Sequence, residues 1–188
     1  TEMEVVNSSK EEEKKEEKVR ISVRNLVEFI LREGDLDSRQ GGTADKEAML
    51  LGGRIHRKIQ RQMGGGYHAE VPLQIVVPCE KLDIIVEGRA DGIIEEDGRT
   101  AVDEIKGILQ DLERIKEPKK VHLAQAKCYA YIYASIKELS EIGVQMTYCQ
   151  METEEVKRFY QTFSCEELKK WFFDLVHRYE KWAVFQIE

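Results

Sequence analysis

Two carboxylates and a lysine stand close together between Val86 and Gly107, in VEGRADGIIEEDGRTAVDEIKG. Asp91 falls in the first half of this stretch. Glu104 and Lys106 fall in the second, with one residue between them. The pattern predicts a β-hairpin that turns at Glu95-Glu96-Asp97-Gly98, where Asp-Gly suits a pair with φ > 0. Side chains alternate along a strand, so Glu104 and Lys106 share one face while Asp103 and Ile105 share the other. Asp91, on the neighbouring strand, converges with Glu104 if the register allows. Such a wall of charge is costly unless a cation balances it. Mg²⁺ takes oxygen ligands and often uses one or two carboxylates plus a substrate phosphate. A lysine beside it would hold or activate the attacking water and offset charge on the phosphate. Together these groups suit metal-assisted phosphodiester hydrolysis. The plain alternative is a solvated hairpin face carrying a Glu–Lys pair.

Two further features bear on the choice. Gln125 and Tyr129, in AQAKCYAY, are four apart and share one face of a predicted helix. Other positions supply that helix with apolar surface, so neither needs burial, and the pair suits contacts to a phosphate backbone or a base. The alternative is an amphipathic helix with a half-buried tyrosine. His56, in GGRIHRKIQ, offers an imidazole as a metal ligand, or lies on the surface beside Arg54, Arg57 and Lys58.

The elements that must position these residues follow from periodicity. Ser22 is a predicted N-cap for a helix from Val23 to Arg32, ended by Gly34. Arg39 to Gly42 is read as a loop. Asp45 to Met63 is a predicted helix with Leu51, Ile55 and Ile59 on one face, stopped by Gly64-Gly65-Gly66. Glu70 to Val77 alternates as a strand, and the hairpin follows. A charged connection leads to a helix from Lys119 to Leu139. Two strands come next, Gly143 to Gln150 and Val156 to Phe163. Ser164 and Glu167 form a capping box for a last helix, Cys165 to about Phe185. The order α, α, β, β, β, α, β, β, α predicts one α/β domain over 21–188, a mixed central sheet flanked by helices. Residues 1–20 form a charged tail, disordered or a frayed helix, with seven glutamates and four lysines in the first eighteen positions.

Composition narrows the function. The chain has 188 residues, 41% hydrophobic and 35% charged, with a formal net charge of −7. An acidic chain is a poor non-specific duplex binder, because affinity follows the phosphates neutralised. A nuclease remains compatible, since its metal supplies local positive charge. No apolar run or leader suggests a membrane, and a cytoplasmic protein is expected. Cys79, Cys128, Cys149 and Cys165 show no C-x-x-C spacing and are read as reduced, mostly buried thiols rather than a zinc site or disulfide framework.

In chain order the signals are G-x-x-x-H (Gly52, His56), G-R-A-D (Asp91), E-I-K (Glu104, Lys106) and Q-x-x-x-Y (Gln125, Tyr129). This ordered set resembles the RecB-like branch of the PD-(D/E)XK nuclease superfamily, over about Gly52 to Tyr133. The resemblance implies a restriction-endonuclease-like core. It implies Asp91 and Glu104 as acidic ligands of Mg²⁺ or Mn²⁺, with the Ile105 carbonyl and His56 completing the protein's share of the shell. Lys106 would position and activate water. Gln125 and Tyr129 would touch DNA or brace the site. Glu70 would match an acidic residue of some members, and Asp103 should face away from the metal. The implied activity is metal-dependent DNA hydrolysis, chiefly exonucleolytic on single strands or ends, in repair or recombination, with a helicase domain or subunit as partner. A chain that opens on Thr1 and closes at Glu188 fits a nuclease domain cut from such a protein. Some relatives hold an iron–sulfur cluster with four cysteines, three of them clustered after the Q-x-x-x-Y helix. Here only Cys149 and Cys165 follow it, far apart, so no iron–sulfur cluster is expected. The rivals are a non-catalytic nuclease-like module that binds DNA or braces a helicase, and a plain α/β interaction domain.

Overall fold

The computed structural model describes residues 17–31 and 43–187, the side chains of 43–51 and 187 excepted. The glutamate/lysine tail before residue 17, the helix end at Arg32 and Gly34, the Arg39–Gly42 loop and the Leu51 side chain lie outside the described residues. Six strands form one mixed sheet: β1 (Lys18–Ser22), β2 (Tyr67–Pro78), β3 (Asp83–Glu96), β4 (Arg99–Ile108), β5 (Glu141–Gln150) and β6 (Val156–Ser164). The helices are α1 (Val23–Leu31), α2 (Thr43–Gln62), α3 (Lys120–Ile136) and α4 (Cys165–Ile187), with a short 3₁₀ turn at Leu112–Arg114. The predicted mixed α/β class, a mixed central sheet flanked by helices, is the one observed.

One strand escapes the periodicity. β1 runs parallel to β3, pairing Lys18–Ser22 with Asp83–Glu87. Its alternation of Val19 and Ile21 is only two residues deep and sits against the charged tail. The caps are as expected. The Ser22 hydroxyl accepts from the Asn25 amide at 3.0 Å, and the Ser164–Glu167 capping box closes with bonds of 2.7 and 3.1 Å.

The order β1-β3-β4-β5-β6, with β2 on the other edge of β3, makes β3 and β4 the interior strands beside the candidate site. β4 lies between antiparallel β3 and parallel β5. The main core lies on one face of the sheet, where α1, α3 and α4 pack over Val86, Val102, Val144 and Met146. The opposite face carries a smaller cluster in which Ile55 and Ile59 of α2 meet Ile105 and Cys149. α3 therefore sits inside the molecule. Every residue from Ala124 to Ala134 except Lys127 is buried. The expectation that Gln125 and Tyr129 need no burial is corrected by this packing: helices and sheet enclose α3 on both sides, so both residues are buried. Among the described residues no helix is long and apolar enough to cross a membrane.

Candidate active site

β3 is longer than either neighbour on its inner edge. β1 pairs with Asp83–Glu87 and β4 with Gly92–Glu96, so residues 88–91 have no strand partner there. The β3–β4 ladder ends at Gly92↔Asp103, and beyond that pair the strands fork. The backbone groups left in the fork must find other partners, because a buried peptide group without one is costly.

Those partners are the residues singled out from the sequence. The Asp91 amide donates to Glu104 Oε1 at 3.2 Å, and the Ile105 amide donates to Asp91 Oδ2 at 2.8 Å. Tyr129 takes a backbone hydrogen bond from Arg89, its ring and hydroxyl filling the space where a side chain at Gly88 would stand. Asp91 and Glu104 thus meet across the open end of the hairpin. In a strand, the N–H and C=O of one residue point to the same edge. The Ile105 carbonyl therefore faces the fork along with its amide.

The far side of Asp91 is also irregular. β2 and β3 pair Ala69 with Gly92 and Val71 with Ala90, which leaves Glu70 and Asp91 opposite each other and outside the ladder. Glu70 takes φ 54°, a left-handed conformation that costs a non-glycine residue about 1 kcal/mol. Gln60 of α2 spans this bulge. Its amide donates to Glu70 Oε1 at 2.9 Å and to the Asp91 carbonyl at 2.8 Å. One helical turn earlier, His56 Nδ1 stands 3.4 Å from Asp91 Oδ1. Gln60 escaped the sequence reading, although a residue four after His56 must share its helical face.

Lys106 lies on the Glu104 face, and its Nζ donates to Gln125 Oε1 at 2.9 Å. Gln125 is 6% exposed and Tyr129 8% exposed. Their polar groups bind Lys106 and the β3 backbone from within. Asp103 faces the other way, as expected. It accepts from Thr147 at 2.6 Å, Tyr67 at 2.7 Å and Gln145 at 3.2 Å beneath the hairpin.

Charge is concentrated here. Burial, then the Asp91 charge, hold the Glu104 carboxyl well above its ordinary value, while Lys106 and the Asp91 amide pull it down. Burial also raises Asp103, against its hydrogen bonds. Burial and the charges of Lys106 and Lys119 push His122 down to about 4. His122 is three residues before Gln125 and takes the Tyr148 hydroxyl at 3.0 Å through Nδ1. It too escaped the sequence reading. Carboxylates, a carbonyl and an imidazole are donors of the kind that a hard divalent cation such as Mg²⁺ or Mn²⁺ takes.

No family model matches the chain, and no curated protein is similar to it in sequence. Among solved structures it is similar to the crystal structure of SSO0001, at 17% identity and a TM-score of 0.56, covering 84% of this chain and 75% of that one. An alkaline exonuclease (LHK-Exo) from Laribacter hongkongensis is more loosely similar, at 14% identity and a TM-score of 0.43, over 90% of this chain and 95% of that one. At 17% identity the likeness to SSO0001 bears on the fold alone.

Proposed function

We propose that the chain is a Mg²⁺- or Mn²⁺-dependent DNA nuclease of the RecB-like type, acting on single strands or strand ends as part of a helicase–nuclease in repair or recombination. The observation that carries this reading is the fork, where Asp91, Glu104 and the Ile105 carbonyl converge beside a lysine held by Gln125. A bound divalent ion would polarise the scissile phosphate and make its bound water more acidic. Asp91 and Glu104 would hold that ion, with His56 and the Ile105 carbonyl as the protein's further donors. Lys106 orients the attacking water and offsets charge on the phosphate. Gln125 fixes Lys106, and Tyr129 holds the backbone that carries Asp91. Arg54, Arg57 and Arg61 on the exposed side of α2, with exposed Arg89, give an acidic protein a basic approach for the phosphate backbone.

The test is cleavage of end-labelled single-stranded and duplex DNA with Mn²⁺, Mg²⁺ or EDTA, by wild type and Lys106→Ala side by side. Metal-dependent degradation that disappears in folded Lys106→Ala is expected. Equal cleavage by both proteins would overturn the mechanism. Metal-independent DNA binding with no cleavage under any condition would replace it with the non-catalytic module.

A further inference from the structure

A second group of potential ligands lies away from the fork, where the connection between β2 and β3 meets α4. Cys79 Sγ, a ring nitrogen of His177 and a carboxylate oxygen of Glu180 all lie within 4.8 Å of one another. His177 and Glu180 are three apart on α4 and so share a face, with Nδ1 and Oε2 separated by 3.5 Å. That spacing is close to the edge of a tetrahedron built on bonds of about 2.0–2.3 Å. Glu180 is held toward the connection by the Lys81 amide, at 3.5 Å from Oε1.

The surroundings favour a cation. Asp83 stands opposite Pro78 in the β2–β3 ladder, one residue from Cys79, and its Oδ1 is buried with no hydrogen-bond partner among the described residues. Cys79 is buried while His177 is exposed, which leaves one side of the group open to solvent.

We infer that Cys79, His177 and Glu180 form a Zn²⁺ site with water in the fourth position, clamping the β2–β3 connection to α4. One sulfur, one imidazole nitrogen and one carboxylate oxygen suit borderline Zn²⁺, whereas the thiolate disfavours Mg²⁺ and Ca²⁺. Binding replaces the thiol proton with the metal and releases that proton to solvent. The site is distinct from the fork, whose donors are oxygens and an imidazole. The absence of C-x-x-C spacing is no obstacle, because α4 supplies the other two ligands from elsewhere in the chain.

Co²⁺ reports the difference between the two sites, because only a sulfur ligand gives a thiolate-to-cobalt charge-transfer band. The full chain, stripped with chelator, should bind one Co²⁺ with that band and tetrahedral ligand-field absorption, and Zn²⁺ should displace it. Zn²⁺ at a hundredfold over Kd should raise the melting temperature by about 5 °C or more. Cys79→Ser should abolish the band. His177 is exposed, so His177→Ala should stay folded and weaken Co²⁺ binding at least tenfold, even if Cys79→Ser fails to fold. No sulfur band in wild type, or an unchanged band and affinity in His177→Ala, would overturn the site. DNA cleavage does not enter this readout, so its outcome is independent of the nuclease reading.

Discussion

The two halves of the β3–β4 hairpin begin alike and end differently. Near the turn, five successive pairs from Gly92↔Asp103 to Glu96↔Arg99 make a regular ladder. Beyond Gly92 the strands part, and side chains replace strand partners on the Asp91 and Ile105 amides. The closed half uses its backbone to hold itself together. The open half turns the same kind of peptide groups into supports for two carboxylates. A regular β3–β4 ladder would have given the Ile105 amide the carbonyl of Ala90, two residues along from the Gly92↔Asp103 pair. The fork makes a cation site available at the cost of bringing like charges together in a buried place.

The largest effect expected from that difference is at Glu104. Glu104→Gln keeps an acceptor for the Asp91 amide and removes a charge. Cleavage should fall by about a hundredfold or more, while the metal-free protein should melt higher at neutral pH. The sign follows from linkage. The folded state holds the Glu104 proton more tightly than the unfolded chain, whose value is near the ordinary 4.5. Folded protein therefore binds more protons across that range, and stability present in acid is lost as pH rises from there. Mn²⁺ should restore melting temperature strongly at about pH 7–8 and little near about pH 5, because protons and metal compete for the same oxygens. Calorimetric melts with and without Mn²⁺ check both statements. A wild type whose metal-free stability climbs from pH 5 to 8 while Glu104→Gln stays flat would contradict this account.

Gln125 tests whether the fork needs support from α3. With Gln125→Ala, Lys106 loses its 2.9 Å partner. Cleavage should fall about tenfold to a hundredfold through misplacement of the ammonium group, with Mn²⁺ affinity unchanged because no metal donor is touched. Gln125→Glu keeps an acceptor and should recover more activity than alanine does. Loss of metal affinity in Gln125→Ala would mean that α3 shapes the carboxylates rather than the lysine.

The hairpin, its turn and the sharing of faces by Glu104 and Lys106 were legible because alternation and turn chemistry are local. The burial of Gln125 and Tyr129 was not. An alanine-rich helix reads as one-sided until the helices and sheet around it are known. The fork itself was hidden for a related reason. Nothing near Asp91 announces that β1 and β4 divide one edge of β3 between them, and β1 pairs across a long sequence separation. Gln60 was within reach, since the helical repeat ties it to His56. The cluster of Cys79, His177 and Glu180 was half within reach. The histidine and glutamate share a helical face, but the cysteine arrives through the fold.

The smallest effect should come from the closed half and should spare the chemistry. Asp97 and Gly98 take φ 53° and 72°, the pair of left-handed residues that a two-residue hairpin turn requires. A side chain at Gly98 would meet no atom within 4 Å, so Gly98→Ala isolates the backbone cost. That cost should be roughly 1–2 kcal/mol, a drop of about 2–8 °C in melting temperature for a chain of this size. Cleavage at a temperature where the variant is folded should equal wild type, because the ladder from Gly92 to Glu96 separates the turn from the fork. If Gly98→Ala lowered cleavage in fully folded protein, the two halves would be mechanically coupled. The fork would then depend on the twist set at the turn as well as on the side chains that fill it.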